Sequence, residues 1–304
     1  MQSTVDDLRL KVTKRIERPG DVIEFYLTSE TPLPAFRAGA HIDLRLDTGL
    51  VRSYSLVGTS QDPFCYRIAV KLEPASRGGS QWIHSSLVEG MQVSASLPKG
   101  RFALQNTEDS TFVAAGIGVT PLIGMADELH ASGRPFTFYY LTRGQGAFDH
   151  ELAGKTWASS IQRHDSLANG RFDLSKLSGS GNIYACGPAS LLDALSAQVP
   201  KGRLWIEAFS NDVETTGGEF EIELASNGEV ILVPEHQSAL QALLEAGIDA
   251  PFACEEGICG TCVSRVLDGQ IDHRDDYLTE QEQAAQDQMA LCCSRGIGRI
   301  KVEI

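Results

Sequence analysis

The chain has 304 residues, 42% hydrophobic and 22% charged, which is ordinary soluble composition and enough length for two domains or three small ones. Seven cysteines are too few for a disulfide scaffold, and a net charge of −14 argues against a nucleic-acid or anionic-membrane partner. No secretory leader or membrane span is expected, because residues 1–10 include Asp6 and Asp7 and the longest uncharged stretch, 17 residues between Asp109 and Asp127, is broken by Gly116, Gly118, Pro121 and Gly124. A soluble, cytoplasmic chain in a reducing compartment is the expectation.

In chain order, residues 1–106 read as all-β. Short runs at 22–28, 41–46, 51–57 and 66–72 mix apolar and polar positions between Gly, Pro and Asp. Six to eight such runs predict a closed antiparallel β-barrel. Over 107–210 the pattern changes. Apolar runs at 111–115, 136–141, 182–186 and 203–206 alternate with helical segments at 120–130 and 189–198, which predicts an α/β domain with a parallel sheet. A polar linker follows at 210–218 (SNDVETTGG). In the last module, 218–304, strands are expected at 219–224 and 230–233 around Asn227-Gly228, and Leu240, Leu243 and Leu244 mark a helix over 238–246. Residues 217–304 hold 17 acidic against 5 basic side chains, nearly all of the chain's net charge. Such a block is either a solvated surface or a face that docks on a basic partner.

The same module carries the strongest motif. Cys254, Cys259 and Cys262 stand in C-x4-C-x2-C spacing, and Cys292 follows 29 residues later. Four thiolates so spaced hold a plant-type 2Fe-2S cluster. Gly257 and Gly260 would let the backbone wrap closely and aim N–H groups at the sulfurs. A structural zinc site or a thiol redox pair are the competing readings, but zinc ligands usually come in two close pairs and a redox C-x-x-C opens a helix.

The run Pro251-Phe252-Ala253-Cys254-Glu255-Glu256-Gly257-Ile258-Cys259-Gly260-Thr261-Cys262, with Asp272-His273-Arg274-Asp275 and Cys292-Cys293-Ser294-Arg295, resembles the C-terminal β-grasp ferredoxin domain of the phthalate dioxygenase and vanillate O-demethylase reductases. In that family the cysteine before x-Ser-Arg is the ligand, which implies Cys292 and leaves Cys293 a buried bystander. The resemblance covers essentially the whole chain, in the order flavin barrel, nicotinamide domain, ferredoxin.

The earlier motifs take their meaning from it. Arg52-Ser53-Tyr54-Ser55 is similar to the family's flavin signature, with the ring of Tyr54 packed on the isoalloxazine and Ser55 near flavin N5. Arg77-Gly78-Gly79-Ser80, at a helix start, resembles the site of the FMN phosphate. By position the resemblance implies further flavin contacts at Val70, Lys71, Thr120 and Phe209, while His41, in Arg37-Ala38-Gly39-Ala40-His41, is read as packing. Gly116-Ile117-Gly118-Val119-Thr120-Pro121 departs from the G-x-G-x-x-G fingerprint, because Pro121 replaces the third glycine. In the family this loop carries the nicotinamide pyrophosphate, and Cys186-Gly187-Pro188 lies by the nicotinamide C4.

Hydride arrives from NADH as an electron pair, a 2Fe-2S cluster accepts electrons singly, and a flavin converts between the two. The resemblance therefore implies an NADH-dependent FMN/2Fe-2S oxidoreductase, a monomer, that feeds single electrons to a Rieske-type non-haem iron oxygenase. An autonomous flavin or haem reductase and a zinc-binding adaptor are the alternatives. Arg143, at a strand end, is the residue that would favour the 2′-phosphate of NADPH.

Overall fold

The computed structural model describes residues 8–74, 78–105, 109–177, 179–200, 202–209 and 215–304, in two compact units, Met1–Phe209 and Ser210–Ile304. Arg77 of the Gly-Gly-Ser motif, the expected boundary at 106–107 and residues 210–214 of the expected linker lie outside the described residues.

In the first unit, β1 (Leu8–Arg18), β2 (Val22–Thr28), β3 (His41–Arg45), β4 (Val51–Ser55), β5 (Cys65–Lys71) and, after helix α1 (Gly79–Ser86), β6 (Gln92–Ala95) form an antiparallel sheet in the order β4-β3-β6-β1-β2-β5. Period-two alternation buries Leu10 and Val12, Phe25 and Leu27, and Ile42 and Leu44 completely on one face. Each such side chain contributes about 1.5–3 kcal/mol by leaving water. The two edge strands approach each other just beyond β4, through a lone bridge between Leu56 and Ile68 and the Val57 N–H donating to the Arg67 carbonyl at 2.8 Å. The sheet thus curls toward the expected barrel, joined along that seam by those two links.

The chain then builds β7 (Ser110–Ala115), α2 (Val119–Ala131), β8 (Phe136–Thr142), α3 (Asp149–Ala153), β9 (Ile161–Asp165), α4 (Ser166–Asn169), β10 (Asn182–Cys186), α5 (Ala189–Gln198) and β11 (Leu204–Glu207). Its five strands are parallel, in the order β11-β10-β7-β8-β9. Every residue of β10 is buried, as a strand covered on both faces requires. Phe112 lies 5.6 Å, ring centre to ring centre, from both Phe138 and Tyr184. One core joins the two sheets, because Val22, Ala38, Val57 and Ala69 of the first pack with Phe112, Leu122 and Met125 of the second. Gly124 of α2 is the contact point, since a Cβ there would overlap the Gly58 carbonyl.

The second unit holds β12 (Phe220–Leu224), β13 (Val230–Val233), α6 (Ala239–Glu245), β14 (Val263–Asp272), α7 (Glu280–Ala285), β15 (Gln288–Ala290) and β16 (Arg295–Glu303). The sheet order is β13-β12-β16-β14-β15, with β12 and β16 parallel and the other pairs antiparallel. Ser238 and Gln241 form a capping box that starts α6, and Leu240 and Leu243 turn into the core. The expected combination of antiparallel sheet, parallel α/β sheet and ferredoxin-type β-grasp module is the one observed. Among the described residues, no helix is long and apolar enough to cross a membrane.

Candidate functional site

In the first unit, β4 presents Arg52, Ser53, Tyr54 and Ser55. Ser53 donates to Asp43 on β3 at 2.7 Å, and Arg52 donates to the Val51 carbonyl at 2.7 Å. The stem of Arg52 crosses Gly79, where a Cβ would sit 2.7 Å from Arg52 Cγ, so only glycine leaves room at the start of α1. Gly78 caps that helix with φ of 96°, a left-handed conformation that glycine adopts without strain. The Ser80 hydroxyl accepts the Glu73 N–H at 3.2 Å. Val70 is buried, and its carbonyl meets His84 of α1 at 2.9 Å. Lys71 is exposed and pairs with Glu73 at 3.2 Å. Tyr54 packs on the sheet's core, and burial pushes its phenol far above the ordinary value. His41 is buried, as a packing residue should be.

The parallel sheet supplies a crevice. Its chain order reverses between β7 and β10, and ligands of open α/β sheets bind beyond the carboxyl ends of strands at such a switch point. Gly116 and Gly118 follow β7 in a 3-10 turn that runs into α2, and Gly187 and Pro188 follow β10. The two loops touch, since a Cβ on Gly118 would overlap the Cys186 carbonyl and one on Gly187 would lie 2.7 Å from Ala115 Cβ. Pro121 is buried in the first turn of α2, where its missing N–H costs nothing. The Thr120 hydroxyl turns back to the Ile117 carbonyl at 3.0 Å. Phe209 lies two residues past β11 and is 37% exposed.

Glu207 joins the two halves. It is the residue paired with Cys186 in the β10–β11 register, and it accepts a hydrogen bond from the Ser55 hydroxyl at 3.3 Å. Burial pushes its carboxyl up to about 8, partly offset by that bond. Cys186 is completely buried, and burial, then the nearby Glu207, raises its thiol well above the ordinary value, so it stays protonated. Sequence reading found Ser55 and Cys186 but not Glu207. The available signal was an acid at the carboxyl end of a parallel strand, in Trp205-Ile206-Glu207-Ala208-Phe209.

The second unit gathers all four cysteines. Cys254, Cys259, Cys262 and Cys292 are buried, and sulfur hydrogen bonds join 254 with 259 and 262 with 292, while 292 is also bonded to Cys293. Among the described residues, no three Cys, His or acidic side chains are grouped to hold a single ion. Two pairs of thiols are what two irons with two cysteine ligands each require. The hydrogen bond from Cys254 holds the Cys259 thiol below its ordinary value, while Cys254 rises through giving that bond and through burial. The Glu256 N–H donates to Cys254 Sγ at 3.4 Å, and Cys259 Sγ lies 3.2 Å from Thr261 Oγ1. Gly257 and Gly260 have φ of 69° and 74°. A Cβ at Gly257 would lie 2.7 Å from Cys293 Sγ, and one at Gly260 would overlap the Tyr277 ring. The donor set, its pairing and its N–H contacts fit the cluster. A strand, β14, follows Cys262 directly, unlike the helix of a redox C-x-x-C.

The Asp272–Asp275 and Cys292–Arg295 motifs meet beside this loop. Ser294 donates to Asp275 at 3.1 Å and accepts the Arg274 N–H at 3.1 Å. Arg295 is buried over the Phe220 ring and donates to the carbonyls of Thr215, Gly218, Pro234 and Gln237.

Residues 222–295 match the family described as 2Fe-2S iron-sulfur cluster binding domain. The chain is 39% identical over 292 residues to the vanillate O-demethylase oxidoreductase of Pseudomonas sp. (strain HR199 / DSM 7063), covering 90% of this chain and 91% of that one. Among solved structures it is similar to phthalate dioxygenase reductase, described as a modular structure for electron transfer from pyridine nucleotides to 2Fe-2S, at 32% identity and TM-score 0.74 over 98% of both chains. It is also similar to an intact type IV self-sufficient cytochrome P450 monooxygenase, at 35% identity and TM-score 0.88. That match covers 98% of this chain but 41% of the other. The paired thiols, the switch-point crevice and these likenesses together place the chain in the oxidoreductase family of vanillate O-demethylase and phthalate dioxygenase reductases, with a 2Fe-2S ferredoxin domain at its C-terminus.

Proposed function

We propose that the chain is an NADH-dependent reductase that binds FMN on residues 1–106, the nicotinamide nucleotide on 107–210 and the cluster on 218–304, and passes single electrons to a Rieske-type non-haem iron oxygenase. The observation that carries this reading is the meeting of Ser55, Glu207 and Cys186, which brings the flavin-type signature of one sheet to the nucleotide crevice of the other. FMN, when bound, supplies the conversion of an electron pair into single electrons.

The chain's own residues supply position and polarity. Tyr54 would offer a flat apolar face to the isoalloxazine, Arg52 with Gly78, Gly79 and Ser80 would offer charge and N–H groups to the FMN phosphate, and Ser55 would offer its hydroxyl to N5. Val70, Lys71, Thr120 and Phe209 complete the flavin contacts. Gly116, Gly118 and Pro121 receive the pyrophosphate, and Cys186, Gly187 and Pro188 orient the nicotinamide. Glu207 holds a proton at its carboxyl up to pH about 8, beside Ser55 Oγ. Cys254, Cys259, Cys262 and Cys292 hold the cluster, and the acidic surface of the second unit steers it to a basic partner, the reductase itself acting as a monomer.

The relatives' names support an oxygenase acceptor, and the likeness to the self-sufficient P450 favours a haem acceptor as the second reading. Purified protein supplied with NADH or NADPH, and with a Rieske oxygenase or a P450 as acceptor, distinguishes them. Faster turnover with NADH and the Rieske protein, and release of FMN by mass analysis, are expected. Preference for NADPH, FAD or the P450 would overturn the corresponding part.

A further inference from the structure

A chain of alternating charges crosses from the antiparallel sheet of the first unit to the helices that flank the parallel one. Glu24 on β2 is completely buried, and each of its oxygens is gripped by one guanidinium. Oε2 accepts Arg18 Nε at 3.0 Å and Nη2 at 2.5 Å, and Oε1 accepts Arg67 Nε at 2.9 Å and Nη2 at 2.5 Å. Arg67 also reaches the α/β part of the unit, donating to Glu151 on helix α3 at 2.7 Å and 3.4 Å. From Glu151 the chain continues to Lys155 at 3.7 Å, and from Lys155 to Asp127 on α2 at 2.9 Å. The Trp157 indole donates to Asp127 at 2.7 Å. Three cations balance three carboxylates along this path, so removing one member leaves a partly buried charge unmatched.

The location gives the network its meaning. The Arg67 carbonyl holds Val57, two residues beyond Ser55, and Gly58 packs its carbonyl on Gly124 of α2. The helix α2 begins at the glycine loop that borders Cys186. We infer that Arg67 is a positioning residue for hydride transfer: by bridging Glu24 and Glu151 it fixes the spacing between Ser55 on the antiparallel sheet and the Gly118–Cys186 crevice on the parallel sheet. Lysine cannot do this, because one ammonium lacks the fork needed to hold two carboxylates at fixed geometry. Misplacement of reacting groups by about 1 Å costs about 100-fold in rate, so a loosened seam is read directly in kinetics.

The inference rests on the proposed flavin and nicotinamide sites, and the unaltered protein serves as control. If NADH fails to reduce it, the functional reading falls. The test is anaerobic stopped-flow reduction of the holoprotein by NADH in the parent, Arg67→Lys, Glu151→Gln and the double variant. Expected is a limiting rate of flavin reduction about tenfold or more below the parent in each, a much smaller change in apparent NADH affinity, and a double variant no slower than the worse single one. Flavin content and the visible spectrum of the purified variants should be unchanged. A limiting rate within twofold of the parent in both single variants would overturn the inference. So would a loss explained entirely by lost flavin, which would make Arg67 a stabilising residue only.

Discussion

The Ser55 hydroxyl donates to the Glu207 carboxyl at 3.3 Å across 152 residues of sequence, and this bond ties the flavin-type strand to the sheet that carries Cys186. Burial lifts the Glu207 carboxyl from about 4.5 to about 8, so it is largely protonated at neutral pH. The rate of flavin reduction by NADH should therefore change between pH 7 and 9 in the parent and flatten in Glu207→Gln. A raised folded-state pKa gives a contribution to stability that is fully present below about 4.5 and is lost as pH rises through about 8. Thermal melts across that window should show the parent losing ground to Glu207→Gln as pH rises, and parallel curves would contradict the assignment.

Cys186 is a buried thiol whose carbonyl abuts Gly118. Cys186→Ala keeps that backbone contact and removes only the sulfur. Flavin reduction by NADH should slow about tenfold without loss of either cofactor, as expected when a positioning contact is removed. Stopped-flow absorbance measures it, and an unchanged rate would remove the thiol from the mechanism.

The adjacent thiols Cys292 and Cys293 separate ligand from neighbour. Cys292 bonds to both Cys262 and Cys293, and Cys293 lies on the far side from Cys262 in that chain of bonds, against Gly257 and the Ala290 carbonyl. Cys292→Ala should lose most of its iron and acid-labile sulfide while ferricyanide reduction by NADH persists. Cys293→Ala should keep both iron and sulfide at parent levels. Equal losses in the two variants would reverse the ligand assignment.

Much of this was legible in the amino acids because the signals are local. Three of the four cluster cysteines fall within nine residues, and 182–186, 189–198 and 230–233 were read at the bounds the structure shows. The strand β14 was not read, because register shifts between Val266 and Asp268 and again before Gln270 break its alternation. The nine residues of β16 are interrupted by Gly296 and Gly298, which hide the strand pattern. The partners of Glu207 and Arg67 were hidden for a different reason, although the strand-end position of Glu207 was itself a signal. Those partners, Ser55 and Glu151, lie 152 and 84 residues away, and only the packing of one sheet on the other brings them together.

Docking of the acid-rich residues 217–304 on a basic partner, as proposed, would make partner transfer sensitive to salt. Raising ionic strength from about 0.01 to 1 M shortens the screening length from about 30 to 3 Å. Electron delivery to the oxygenase should fall over that range while NADH-ferricyanide activity holds. A flat oxygenase rate would remove electrostatic docking from the account.

In the proposed reaction one chain takes an electron pair from NADH and delivers single electrons to a four-cysteine iron centre. The direct measurement is an oxygen-free NADH titration of anaerobically purified protein, followed by visible absorbance and electron paramagnetic resonance. The account predicts a coloured protein in which the flavin bleaches and a reduced-cluster signal appears in proportion to the chain. A colourless protein, or a flavin that bleaches while the iron centre stays oxidised, would contradict it.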